Sequence, residues 1–355
     1  MPYHIVLPRA LNAEELAAEQ PGGTRPRVGV AMLAKQLGGT IHAPSGEAAT
    51  WADRARARVA GPPAIWAMAR SVADQTGPDD VVFCSSEAGG LQVAEACAAG
   101  GRKPKICMFV HNLDRPRGRL ALKLFRVAQR VDLLLACSSL QADFLREHLG
   151  LRESRVKFVW DHTDSSFFTP GLAERGKARP LIVSVGLEKR DYITLAAATS
   201  TMDVDVKISG FSEDAAAMAQ TFPSAMPANM SRRFYAWPEL VQLYRNADVI
   251  VVSVHENRYA AGVQSLMEAM ACARPVVVTA SAGLASYLDA DSMLSVPPGN
   301  ATAMRAAIER TLADRTAANR RAEKGHALAT RRHTIERYVD EVASHLRALK
   351  VAALS

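Results

Sequence analysis

The sequence predicts two doubly wound α/β domains, each a parallel sheet covered by helices, with a cleft between their strand ends. Three observations predict this. At 355 residues, 48% of them hydrophobic, the chain exceeds what one hydrophobic core usually holds. In both halves, short apolar or β-branched runs alternate with Ala-rich amphipathic stretches, the pattern of a parallel sheet with crossover helices. The alternation breaks once, at FFTPGLAERGKARP, whose prolines, glycines and charges suit an interdomain linker.

The elements follow in order. HIVLP, RVGVAMLAKQL, TIHAP, AIWAMARSVAD, DVVFCSS, LQVAEACAA, KICMFVHN, LALKLFRVAQRV, LLLACSS, ADFLREHL and RVKFVWD build a first domain over 1–168. The linker spans 169–180. PLIVSVG then opens a second domain over 181–333, continued by DVKISG, ELVQLYRNA, VIVVSV, QSLMEAMACA, PVVVTA and MLSVP. The last helix, HTIERYVDEVASHLRALK within 334–355, lies beyond that domain and is a candidate to pack back on the first.

Composition excludes several classes. No apolar run is long enough to span a bilayer, and the N-terminus has no basic segment leading an apolar stretch, so a soluble cytoplasmic protein, peripheral to a membrane at most, is expected. Five scattered cysteines without CxxC spacing suit reduced core thiols rather than disulfides or zinc ligands. Nine Lys or Arg against Asp114 alone give residues 102–130 a charge of +8, more than the +7 of the whole chain. Arg119, Lys123, Arg126 and Arg130 recur at helical spacing beside Leu120, Leu124, Val127 and Val131, which predicts a basic stripe along one amphipathic helix within 115–130. Such a stripe is either a solvated face or a docking surface for an anionic membrane or phosphate-bearing acceptor. Nucleic acid is disfavoured, because aromatics are scarce and no recognition motif accompanies the charge.

The chemistry concentrates in residues 247–279. A buried strand leads to a polar loop with Gly262, a helix beginning near Val263, and a second strand entered through Pro275. Ala260, Ala261 and Gly262 let backbone amides approach a ligand, and the helix dipole there favours a diphosphate; Ser265 lies in the same first turn. Glu268, nearly two turns in, is either an exposed helix carboxylate or an acceptor for ribose hydroxyls.

These pieces resemble the retaining GT-B glycosyltransferases of the glycosyl transferases group 1 (family four) type. ELVQLYRNADVIVVS, Gly262, EAMACARPVVV, Gly283 and MLSVPPGNATAMRAAIERTL follow the order of that family's donor-binding signature. VSVGLEKRDYITLAAA and VWDHTDSSFFTP are similar to its phosphate-loop and linker elements, so the likeness covers about half the chain. It implies that Lys189 and Arg190 neutralise the departing nucleoside diphosphate, that Gly186 gives close backbone approach, and that base and ribose lie near Trp237 and Glu268. The amides of Ala261, Gly262 and Val263 would hold phosphate. Three departures stand out. Ala260 occupies the place of the first glutamate of the family's E-x7-E pair, Ala273 replaces a glycine, and the loop after Gly186 is short. Glu256, Asn257 or the amides near Gly262 are the candidates to replace that glutamate's contact with sugar hydroxyls.

In the first half, KICMFVHN ends a strand in His111, at the sheet edge where α/β clefts form. It resembles the family's active-site histidine, which contacts the transferred sugar. Asn112, Ser86, Glu87, Gly22 and Gly23 are acceptor-side candidates on neighbouring loops, though Ser86 and Glu87 also read as a helix cap. The resemblance implies transfer of a sugar from a UDP- or GDP-sugar to a saccharide, lipid-linked or small-molecule acceptor, with retention by a same-face displacement. No metal or cofactor is then expected; Asp203 and Asp205 have DxD spacing but open a strand. The alternatives are a catalytically silent nucleotide-sugar-binding or scaffold protein, and a dinucleotide oxidoreductase, which lacks any GxGxxG after a strand.

Overall fold

The computed structural model describes residues 2–12, 14–15, 22–58, 60–174, 176–211 and 217–351. It divides into two compact units. One joins 28–159 to the N-terminal strand and to the chain from Glu336 onward; the other holds 160–335 and the segment ending at Arg27.

In the first unit, β1 (Tyr3–Val6), β2 (Thr40–His42), β3 (Val81–Cys84), β4 (Lys105–Val110), β5 (Leu133–Ala136) and β6 (Val156–Phe158) form one sheet in the order β2-β1-β3-β4-β5-β6. Every pairing is parallel. Both faces of such a sheet must be covered, which is why β1, β3 and β5 are buried throughout. Val82, Cys84, Ile106, Met108 and Val110 join a core with Trp66, Met68 and Val72 of helix Pro63–Gln75 and Leu91 and Val93 of helix Glu87–Ala99. The alternate residues, Phe83 and Phe109 among them, face the other way. There the Phe109 ring meets Tyr338 at 6.3 Å, so helix Ile335–Val351 covers the second face of this same unit.

The second unit repeats the scheme with β7 (Leu181–Val185), β8 (Asp205–Ser209), β9 (Met230–Arg232), β10 (Val249–Val252), β11 (Val276–Thr279) and β12 (Leu294–Val296). Its order, β12-β11-β10-β7-β8-β9, is again wholly parallel. The chain leaves β7 toward one edge and β10 toward the other, so the carboxyl ends of β7 and β10 flank the crevice where such sheets bind ligands.

The basic helix within 115–130 is corrected. Helix Pro116–Leu124 stops at Phe125, Arg126 takes a left-handed φ of 48°, and only a single turn, Val127–Arg130, follows. Leu122, Phe125, Val127 and Val131 are buried, whereas Leu120 and Leu124 are exposed. Arg119 pairs with Asp114 at 2.6 Å and Arg130 pairs with Glu95, so the four cations do not form one free stripe. Among the described residues, no helix is long and apolar enough to cross a membrane.

Candidate donor and acceptor sites

Each unit carries a cluster of the expected residues at its sheet's carboxyl edge. In the second unit the cluster is organised by Arg190, which is buried. Its Nε donates to the Val185 carbonyl at 2.8 Å, Nη1 to the Glu188 carbonyl at 3.2 Å, and Nη2 to Ser265 Oγ at 2.8 Å. The guanidinium therefore ties the end of β7 to the first turn of helix Val263–Ala271. Two glycines make room for it. A Cβ on Gly186, where φ is +103°, would stand 2.4 Å from Arg190 Nη2; one on Gly262, where φ is +93°, would stand 3.1 Å from Nη1. Both backbones also need the left-handed region that glycine tolerates.

Lys189 sits at φ 54°, half-buried, and its ammonium has no acidic partner among the described residues. Its carbonyl accepts from the His255 amide at 2.9 Å, which holds the loop in this turn. The amides expected to hold phosphate divide. Ala261 N–H donates to Tyr259 and Val263 N–H to Ala260, at 2.7 and 3.2 Å, so both are committed to the turn. The Gly262 N–H makes no hydrogen bond among the described residues, and it lies beside the buried Arg190.

Glu268 is not an exposed helix carboxylate. It accepts the Tyr244 hydroxyl at 2.6 Å, and burial pushes its pKa up to about 7, against the opposing pull of that hydrogen bond and of Arg190. Tyr244 itself is fully buried and packs on Phe168, which meets the half-exposed Trp237 edge-on at 6.4 Å. Trp237 and Glu268 are thus held by one aromatic relay, with Trp237 opening helix Trp237–Asn246. Sequence reasoning missed Tyr244. The signal was a tyrosine on the apolar face of ELVQLYRNA, whose buried hydroxyl needs an acceptor.

Glu256 and Asn257 are engaged elsewhere in their loop. Glu256 Oε1 accepts from the Ala282 amide at 2.9 Å, and Asn257, buried, donates to the His255 carbonyl and accepts from the Tyr259 amide. Both side chains shape the loop that carries Gly262. On the far face of helix Val263–Ala271, Leu266, Met267 and Met270 line a cavity of about 370 Å³ with Trp160, Tyr287 and His333, away from Ser265 and Glu268.

In the first unit, His111 follows β4 with its ring half exposed. Glu87, at the start of helix Glu87–Ala99, grips it: Oε2 accepts from the His111 amide at 3.0 Å and stands 3.2 Å from Nδ1, while Oε1 accepts from the Asn112 amide at 3.0 Å. Burial opposes the charge on Glu87, yet the hydrogen bonds and charge of His111 outweigh it and draw the pKa down to about 2. Ser86 caps the same helix by accepting from the Ala88 amide at 3.1 Å. Gly22 and Gly23 belong with the second unit, in the segment anchored by the buried, bidentate Arg27–Asp164 pair.

Cysteine chemistry has no place here. All five thiols are buried, and burial raises the Cys97 pKa to about 11 and that of Cys272 to about 12. Asp203 and Asp205 both face Arg179 at the start of β8, on the opposite sheet edge from Arg190.

Comparison with known proteins bears on the family and the fold. A family model for the glycosyl transferases group 1 matches residues 177–314, and one for glycosyltransferase family 4 matches residues 25–166. No curated protein matches the sequence. Among solved structures, an α,α-trehalose-phosphate synthase (UDP-forming) from Burkholderia vietnamiensis is similar at TM-score 0.74 and 14% identity, covering 98% of both chains. Anabaena HepE in complex with UDP-glucose is similar at TM-score 0.70 and 14% identity, over 98% of this chain and 99% of that one. A glycosyltransferase from Rickettsia africae is similar at TM-score 0.68 and 12% identity, over 98% of both. Those identities speak for the fold, and the two family models between them account for most of the sequence. The chain belongs to the GT-B-fold glycosyltransferases of the glycosyl transferases group 1 (family four) type.

Proposed function

We propose that the protein moves a hexose from a UDP- or GDP-sugar to an acceptor hydroxyl with retention of configuration. The observation that carries the reading is the buried Arg190, fixed between the end of β7 and Ser265 and flanked by Lys189 and the unengaged Gly262 amide. Two cations and an amide at a helix start suit a diphosphate, and no metal is called for. The Anabaena structure contains UDP-glucose, which makes uridine the first base to try.

Glu268 accepts from the ribose hydroxyls and Trp237 borders the base. The bond between the sugar C1 and the β-phosphate oxygen breaks with its electron pair passing to phosphate, where Lys189 and Arg190 offset the charge. The acceptor oxygen bonds to C1 on the same face, and its proton passes to the departing phosphate. No protein nucleophile takes part. His111, held by Glu87, contacts the transferred sugar. The acceptor is a saccharide, a lipid-linked saccharide or a small molecule.

The test is a panel of UDP-, GDP-, ADP- and dTDP-sugars read by thermal shift and by slow donor hydrolysis, with Glu268→Ala and His111→Ala beside the parent. A selective shift lost in Glu268→Ala, with hydrolysis lost in His111→Ala, is expected, and the anomeric configuration of the product by NMR reads retention directly. Binding without turnover would favour a catalytically silent nucleotide-sugar-binding protein. No shift with any donor would leave the scaffold reading.

A further inference from the structure

The surface of the first unit carries a patch that the donor chemistry does not use. Helix Pro116–Leu124 turns Gly118 and Leu122 inward, and presents Leu120 and Leu124, 65% and 54% exposed, on its outer side. Arg117 and Lys123 stand three residues either side of Leu120, so they share its face. Neither they nor Arg126 has an acidic partner among the described residues, unlike Arg119 and Arg130. Two leucines in a ring of unpaired cations are an odd combination for a merely solvated helix.

A second, separate element has the same character. Trp51, at the start of helix Trp51–Ala57, is 81% exposed, the most exposed tryptophan in the chain. Both elements rest on one residue beneath them: Trp66 takes the Arg56 guanidinium on its ring at 5.6 Å and Phe125 against it at 6.0 Å. The helix that bears Trp51 and the segment that ends the leucine helix thus both contact Trp66, one through Arg56 and the other through Phe125.

We infer that this face docks on a bilayer containing anionic lipid, with Leu120, Leu124 and Trp51 entering the headgroup boundary and Arg117, Lys123 and Arg126 meeting lipid phosphates. Charge complementarity selects the occupant. Tryptophan prefers the membrane interface, and apolar burial combined with Lys and Arg attraction is what holds an interfacial helix on an acidic surface. The docking helix starts just beyond His111, so docking brings the membrane to the loop that carries this histidine, and a membrane-borne acceptor to the enzyme. The inference does not depend on the donor reading, since a chain that binds no nucleotide-sugar can still bind vesicles.

The test is flotation of the full-length protein with phosphatidylcholine vesicles, with and without phosphatidylglycerol, at low and high salt. Binding only to the anionic vesicles, released by salt, is expected, together with a blue shift of tryptophan emission that Trp51→Ala removes. Leu120→Ser/Leu124→Ser should abolish flotation, and Arg117→Gln/Lys123→Gln should weaken it roughly 30-fold, at about fivefold per cation. All these positions are exposed, and thermal unfolding of each variant confirms that the fold is intact. The inference is overturned if the parent stays unbound with anionic vesicles at low salt. It is equally overturned if the double serine variant floats as well as the parent, or if the leucines instead drive self-association in sedimentation without vesicles.

Discussion

Both carboxylate oxygens of Glu87 are spent on the His111 loop: one takes the His111 amide and faces its Nδ1, the other takes the Asn112 amide. The helix start of one βα unit thus fixes the strand end of the next, and leaves Nε2 as the ring nitrogen not facing Glu87. Glu87 is a positioning residue.

Glu87→Ala should therefore lower kcat by roughly 100-fold, the scale of a misplaced catalytic group, while leaving donor Kd within a few-fold. Glu87→Gln should recover part of the loss, because one amide oxygen still accepts a backbone N–H. Steady-state kinetics beside calorimetric donor binding separate the two effects. Equal losses in kcat and in thermal stability would mean that Glu87 only holds the loop together.

Glu268 titrates near pH 7, so donor affinity should follow its ionisation. A carboxylate accepts two ribose hydroxyls and a protonated acid accepts them poorly, so Kd should be lowest above pH 7 and rise as pH falls through it. Tyr244→Phe removes a donor that favours the ionised form and should move that midpoint upward. Calorimetric titration from acid to mildly alkaline pH reads both.

The same shift acts on stability with the opposite sense. The folded-state pKa of Glu268 lies above its ordinary value of 4.5, so its contribution is fully present below pH 4.5 and is lost as pH rises through 7. Glu268→Gln, which can still accept the Tyr244 hydroxyl, should stabilise the unliganded protein at pH 8 by about 2 kcal/mol while weakening the donor. Chemical denaturation at pH 5 and pH 8 tests this, and an unchanged difference between the two pH values would remove the assignment.

Gly186→Ala places a methyl against the Arg190 guanidinium and forces a left-handed backbone on alanine. Strain of about 1 to 2 kcal/mol is expected, together with a shift of Arg190 and at least a tenfold loss of donor affinity. Arg190→Lys should lose affinity too, because an ammonium cannot reach Val185, Glu188 and Ser265 together.

The sheets were legible because parallel strands, buried on both faces, read as unbroken apolar runs such as VIVVS and PVVVT. β9 was not, since Met230 alone of its three residues is buried. The turn at Gly186 and the run from Gly262 to Glu268 were legible because each is read within one short segment of the chain. Tyr244 under Glu268 and Glu87 under His111 were hidden because each pairing joins residues 24 apart in the chain, a distance that no periodicity encodes. The helix break at Phe125 was hidden as well. The 3.6-residue pattern continues through it, and only the packing of Phe125 on Trp66 shows that the chain turns inward there.

His4 of β1 and His42 of β2 make the last prediction, at a place remote from the chemistry. Their nitrogens Nδ1 and Nε2 stand 2.9 Å apart with the rings stacked, and Asp80 lies 3.7 Å from His4 Nε2. A 2.9 Å contact between two ring nitrogens needs one to carry the proton and the other to lack it. Burial lowers both pKa values, and for His42 the neighbouring His4 lowers it further; Asp80 only partly offsets this for His4. Both folded pKa values thus lie below the ordinary 6.5, so the pair's contribution is intact above pH 6.5 and is lost as pH falls below it. The unfolding free energy of the parent should decline between pH 7 and pH 5 more steeply than that of His42→Gln, whose amide can keep one hydrogen bond to His4 without titrating. Urea denaturation across that range measures the slope, and parallel curves for the two proteins would show that the histidine pair does not set it.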